Sequence, residues 1–185
     1  TSANFEEHSL ILIDFGACQR VPFEPDSSNH IYINKTGKVG TTQYRSPELN
    51  CLSTRSFDGF ASDMWSIGVI TYCMLTCSMP CEEASRSNLR FRYIMKNRLA
   101  ELLKFDCKER IDPLSDEAKE FLFGLLCVDP QQRFNIDAAL SHSWLKIDND
   151  TSDDNVSINF QHSMDAFDLD WLDIEHNMDI DWFEG

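Results

Sequence analysis

The 185-residue sequence has no apolar run long enough to cross a bilayer, no signal peptide and no Cys-x-x-Cys pair. A membrane span needs about 20 predominantly apolar residues. The least polar stretch, Asp63 to Thr76, would reach only about 21 Å as a helix. Its seven cysteines are odd in number and unpaired by spacing, which suits small buried hydrophobes in a reducing, intracellular setting, cytoplasmic or nuclear. Cys73, Cys77 and Cys81 recur every four residues, but Pro80 breaks the helix that would align them. There is no initiator Met, and Thr1 is read as the start of a fragment or processed piece.

Positive charge is also scarce, 16 Lys and Arg against 31 acids, for a net −15. Residues 147–185 contain ten Asp, two Glu and no base, so they alone account for −12. The remaining body, at −3, offers no positive excess for nucleic acid. The chain therefore divides into a globular body, 1–146, and an acidic tail, 147–185, expected to be disordered.

What the body does contain is an uncharged stretch, Met64 to Thr76, apolar almost all the way round. A helix of that kind belongs in the middle of a core. Asp63 stands at its start, where a carboxylate can cap the first turn. Upstream, Leu10 to Ile13 is a short β-branched run with the look of a buried strand. It ends at Asp14-Phe15-Gly16, a carboxylate beside a residue that lets the backbone turn, which can hold a divalent cation through oxygen. Residues 17–39 read as a long loop, rich in Pro, Ser and Asn.

Asp14-Phe15-Gly16 resembles the metal-binding motif of eukaryotic protein kinases. Gly40-Thr41-x-x-Tyr44-x-Ser46-Pro47-Glu48 resembles the motif that closes their activation segment, with Ser for the usual Ala. Asp63-x-Trp65-Ser66-x-Gly68 resembles the start of their central large-lobe helix, and Asp129-Pro130-x-x-Arg133 their last signature. Four motifs in the right order are far more specific than any one. The resemblance implies a mainly α fold: a kinase large lobe with a central buried helix and short β elements at its N-terminus, incomplete as a domain. The Gly-rich loop, the strand lysine and the H-R-D loop do not occur in these residues.

The roles that follow are those of the family. Asp14 would hold the Mg2+ that bridges the ATP phosphates, with Phe15 and Gly16 completing the nucleotide-side motif. Residues 14–48 would be the activation segment, with Thr36 a candidate phosphosite and Ser27 and Ser28 earlier hydroxyls. Gly40, Thr41 and Tyr44 would form the substrate platform, and Thr41 points to Ser/Thr specificity. Glu48 and Arg133 would be a structural ion pair, and Asp63 would brace the catalytic loop. Ile70 and Met74, four apart on one helix face, would lie beneath the adenine-stacking residues. The expected function is that of a serine/threonine kinase fragment, inactive alone, whose parent takes protein substrates. The competing class is a pseudokinase or scaffold that binds partners through the large lobe and the tail.

After Pro80 a helix is expected over 87–103, carrying Arg86, Arg90, Arg92, Lys96 and Arg98 as a solvated basic face. Ser115 should cap a helix whose apolar stripe is Ala118, Phe121, Leu122, Leu125 and Leu126. A last helix should cover 136–141, with Asp137 in its first turn. In the tail, Phe167 to Ile174 and Met178 to Phe183 alternate acids with large apolar residues, a pattern of interaction segments that order on a protein partner.

Overall fold

Asp58, in extended backbone, ends one strand and starts the longest helix. Its carboxylate accepts from the Phe60 and Ala61 amides at 3.0 and 3.2 Å. In the computed structural model, which describes residues 11–20, 32–35, 37, 39–108 and 114–146, this helix, α2, runs Gly59–Thr76. It therefore begins four residues before Asp63. The expected cap at Asp63 is corrected: the residue lies beyond the first turn, and Asp58 satisfies the free amides. Cys77 ends the helix in a left-handed conformation, φ 55°, its amide donating to the Cys73 carbonyl.

Trp65, Val69 and Tyr72 are wholly buried at the centre of the core. They share it with Phe91 and Ile94 of α3 (Leu89–Met95), Leu102 and Leu103 of α4 (Leu99–Asp106) and Leu122 of α5 (Asp116–Leu125). Burying a side chain such as Val69 or Leu122 contributes about 1.5–3 kcal/mol. The contact between α2 and α5 is close because residue 68 is glycine. A Cβ there would come within 2.9 Å of Leu125 Cβ. A second cluster joins Met64, Phe121, Leu125 and Ala139 of α6 (Ile136–Ser141) to Phe134 and Trp144.

The body is mostly helical with one small sheet, as expected. β1 (Tyr32–Asn34) pairs antiparallel with β2 (Ser56–Asp58), Ile33 opposite Phe57. The short helix α1 (Pro47–Asn50) lies between them in sequence. Three local expectations change. Ile11, Leu12 and Ile13 are 74–81% exposed and form no strand, since no strand among the described residues pairs with them. The loop of 17–39 contains β1, which pairs because Ser56–Asp58 lies alongside. The helix of 87–103 is two helices, broken where Asn97 turns left-handed at φ 57°. Ser115 and Asn135 cap α5 and α6 through Ala118 and Ala138 amides, and the whole apolar stripe from Ala118 to Leu126 is buried.

Candidate functional site

The segment Val39 to Pro47 is held by hydrogen bonds that its own sequence supplies. Gly40 turns at φ 82°, a conformation that favours glycine. Arg45 Nε donates to the Val39 and Gly40 carbonyls at 3.0 and 2.7 Å and closes that turn. Thr41 precedes a 3-10 turn, Thr42–Tyr44, and its hydroxyl makes no capping bond. Two serines of α2 fix the turn to the core. Ser66 Oγ donates to the Tyr44 carbonyl at 2.9 Å, and Ser62 Oγ pairs with buried Ser46 Oγ at 3.0 Å. Ser66 stands in the quoted motif, but nothing in the sequence showed that its hydroxyl would reach Tyr44.

Next, Pro47 opens α1 and brings Glu48 to Arg133. The pair is bidentate, 2.8 and 3.1 Å, and the Arg133 side chain is fully buried. Arg133 also donates to the Ala61, Cys127 and Val128 carbonyls, and its guanidinium lies 5.2 Å from the Trp65 ring. The charge is thus both paired and hydrogen-bonded, the condition for burying it.

Asp14 sits in left-handed backbone, φ 60°, and its Oδ1 accepts from the Gly16 amide at 3.2 Å. That turn leaves Oδ2 without a hydrogen-bond partner among the described residues and Phe15 65% exposed. Among the described residues no three His, Cys, Asp or Glu converge on one point. A single carboxylate still suits Mg2+, which takes one or two from protein and completes its shell with water and phosphate.

A cavity of about 350 Å3 lies between the Val39–Arg45 turn and α2; Asp14, Phe15, Gly16, Glu48 and Arg133 do not line it. Ala17 and Gln19, following Asp14-Phe15-Gly16, line it together with Thr41, Tyr44, Asp63 and Ser66. Asp63 is exposed to solvent on one side, yet burial on the other pushes its carboxyl above the usual carboxylate range. It has no hydrogen-bond partner among the described residues. On the same helix, Phe60, Ile67, Ile70 and Met74 are 41–59% exposed. With Asp63 they recur at intervals of three and four, so they form one open stripe along the helix at the core's centre. Thr36, Ser27, Ser28 and the whole tail lie outside the described residues.

A family model described as protein kinase domain matches residues 3–145. A calcium/calmodulin-dependent protein kinase type 1 of Caenorhabditis elegans is 41% identical over 106 residues, covering 57% of this chain and 28% of that protein. A CDPK-related protein kinase of Daucus carota is 38% identical over 145 residues, 78% of this chain and 21% of its own length. A testis-specific serine/threonine-protein kinase 2 of Mus musculus is 30% identical over 146 residues, 76% of this chain and 36% of that protein. The chain thus spans between a fifth and about a third of these relatives.

Proposed function

The chain belongs to the protein kinase family, among serine/threonine kinases, and on that footing we propose that it works as the large-lobe part of an enzyme that phosphorylates proteins on Ser or Thr. The observation that carries this reading is the arrangement around α2. The helix holds the platform at Tyr44 through Ser66 and just beyond it at Ser46 through Ser62, shares a cavity with Ala17–Gln19, which follow the Asp14 turn, and leaves the adjoining stripe Phe60 to Met74 open. In a complete domain that stripe is covered by the segment bearing the H-R-D loop, with Asp63 turned toward it.

In this reading Asp14, beside Phe15 and Gly16, would hold Mg2+ through the carboxylate oxygen that does not accept from Gly16, and ATP would supply the transferred group. When bound, the metal neutralises charge on the phosphate oxygens. The chain's own residues do the positioning. Gly40 and Arg45 set the turn, and Thr41, its hydroxyl uncommitted to the backbone, orients the incoming Ser or Thr. The Glu48–Arg133 pair keeps the platform at a fixed height above α2. Thr36 is the phosphorylation site that would order the segment. The proton acceptor and the ATP lysine are supplied by polypeptide outside these residues. The acidic aromatic tail is a docking segment for a protein surface.

The experiment compares the 185-residue chain with a chain carrying, before Thr1, the Gly-rich loop, lysine and H-R-D segment of a relative. The extended chain should phosphorylate a Ser/Thr peptide, and Asp14→Ala should lower the rate by about 100-fold or more. ATP-dependent phosphorylation by the short chain, unchanged in Asp14→Ala, contradicts the reading. An extended chain that binds partners but never transfers phosphate favours the scaffold.

A further inference from the structure

Charge is sorted along this chain in a way that phosphoryl transfer does not use. Residues 86–108, which contain α3 and α4, hold seven Lys or Arg and two acids, a net of +5. Both acids are engaged inside the segment: Asp106 with buried Arg90, and Glu101 with Arg98 at 2.6 Å. The other five basic residues, Arg86, Arg92, Lys96, Lys104 and Lys108, are exposed. Arg92 lies in the last turn of α3 with Lys96 just after it, and Lys104 lies in the last turn of α4 with Lys108 two residues past its end. Apolar surface lies among them. The Arg98 guanidinium is 4.7 Å from the Tyr93 ring, Lys108 Nζ is 5.1 Å from the Phe105 ring, and Met95 is 40% exposed.

We propose that residues 167–183 of the tail dock on the α3–α4 surface of their own chain, their acids against this basic face and Trp171 and Trp182 against its apolar parts. The proposal rests on reading the tail as a docking segment and names its partner surface. Charge complementarity selects the surface, because residues 167–183 carry six acids and no base, and 86–108 is the one stretch of the body with a large positive excess to match them. The open stripe of α2 is a worse receptor: its charged member is Asp63, of the same sign as the tail. Length permits the contact. The 20 residues between Lys146 and Phe167 extend to about 66–72 Å, whereas a body of this size has a radius of gyration of about 14 Å. Tethering raises the local concentration to about millimolar, so a weak contact is enough.

Hydrogen–deuterium exchange on the full chain tests this, at low salt and at about 1 M NaCl, where the screening length falls to about 3 Å. Peptides from 167–183 and from α3–α4 should both exchange at least about threefold slower at low salt. High salt should release both, and so should R92E/K96E/K104E/K108E. D168N/D170N/D173N/D179N/D181N leaves the helices untouched and should also release α3–α4. Tail protection that survives salt and the charge reversals, but is lost in I67S/I70S, puts the tail on α2; it overturns the surface while sparing the docking role. Tail amides that exchange equally fast at both salts overturn docking within the chain. A partner captured through Trp171 and Trp182 would then still support the docking role.

Discussion

Arg133 and Glu48, 85 residues apart, meet through two hydrogen bonds while Arg133 also caps the Ala61 carbonyl at 2.6 Å. One guanidinium thus joins α1, the first turn of α2 and the loop after α5. Arg133→Ala should cost about 3–5 kcal/mol in urea unfolding, because it leaves the carboxylate and several carbonyls unpaired. Glu48→Gln should cost less, since an amide oxygen can still accept one bond. A double-mutant cycle should show strong coupling between the two sites.

A second buried charge lies under α3. Arg90 bonds to Asp106 and to the Pro80 carbonyl at 3.1 Å, and the Tyr72 hydroxyl donates to Asp106 at 2.5 Å. Burial, then the Asp106 charge, push the Tyr72 phenol far above its ordinary value, so it remains a donor at any working pH. Asp106→Ala strands Arg90 and should lower stability by about 3–5 kcal/mol. Tyr72→Phe removes one donor and should lower it by about 1–3 kcal/mol.

The pH dependence around Asp63 has a definite sign. Its folded carboxyl titrates above the unfolded one because burial disfavours the charge. The ionised form therefore weakens the fold, a cost absent below the unfolded value of about 4 and complete once pH passes the folded value. Asp63→Asn should leave stability unchanged at the acid end and raise it at neutral pH, read from urea midpoints across that range.

The thiols should separate by reactivity. Hydrogen bonds from Ser53, then Thr54, bring exposed Cys51 down to about 7, whereas burial pushes Cys73 up to about 11 and Cys81 up to about 12. At pH 7.5 iodoacetamide should label Cys51 before Cys18 or Cys77, and Cys73 and Cys81 only as the chain unfolds. Ser53→Ala should slow Cys51 labelling, as peptide mass spectrometry would show.

Much of this was legible in the residues. The buried helix, the cap at Ser115 and the stripe of α5 follow from local periodicity and capping chemistry. The Glu48–Arg133 pair was legible only through the family motifs, since nothing local links positions 85 apart. The errors arose where a neighbour decides. Leu10 to Ile13 has strand composition, but Ile11 to Ile13 find no strand to pair with among the described residues. Asp63 looked like a cap because the apolar run starts there, while the helix had already begun at Gly59. The apolar circumference of α2 could not reveal which face stays open, because both faces carry the same kinds of side chain. The Tyr72–Arg90–Asp106 group was missed because an arginine among other basic residues gives no local sign of burial.

The central proposal is that the open face of α2 seats a catalytic segment carried by polypeptide outside these residues. Thermal unfolding of I67S/I70S tests it in two backgrounds. In the 185-residue chain, where both side chains are more than 40% exposed, the variant should shift stability by less than about 0.5 kcal/mol. In the chain extended by the Gly-rich loop, lysine and H-R-D segment, the same change should lower Tm by several degrees and abolish phosphoryl transfer. An equal, small effect in both would show that nothing seats on this face, and would contradict the account.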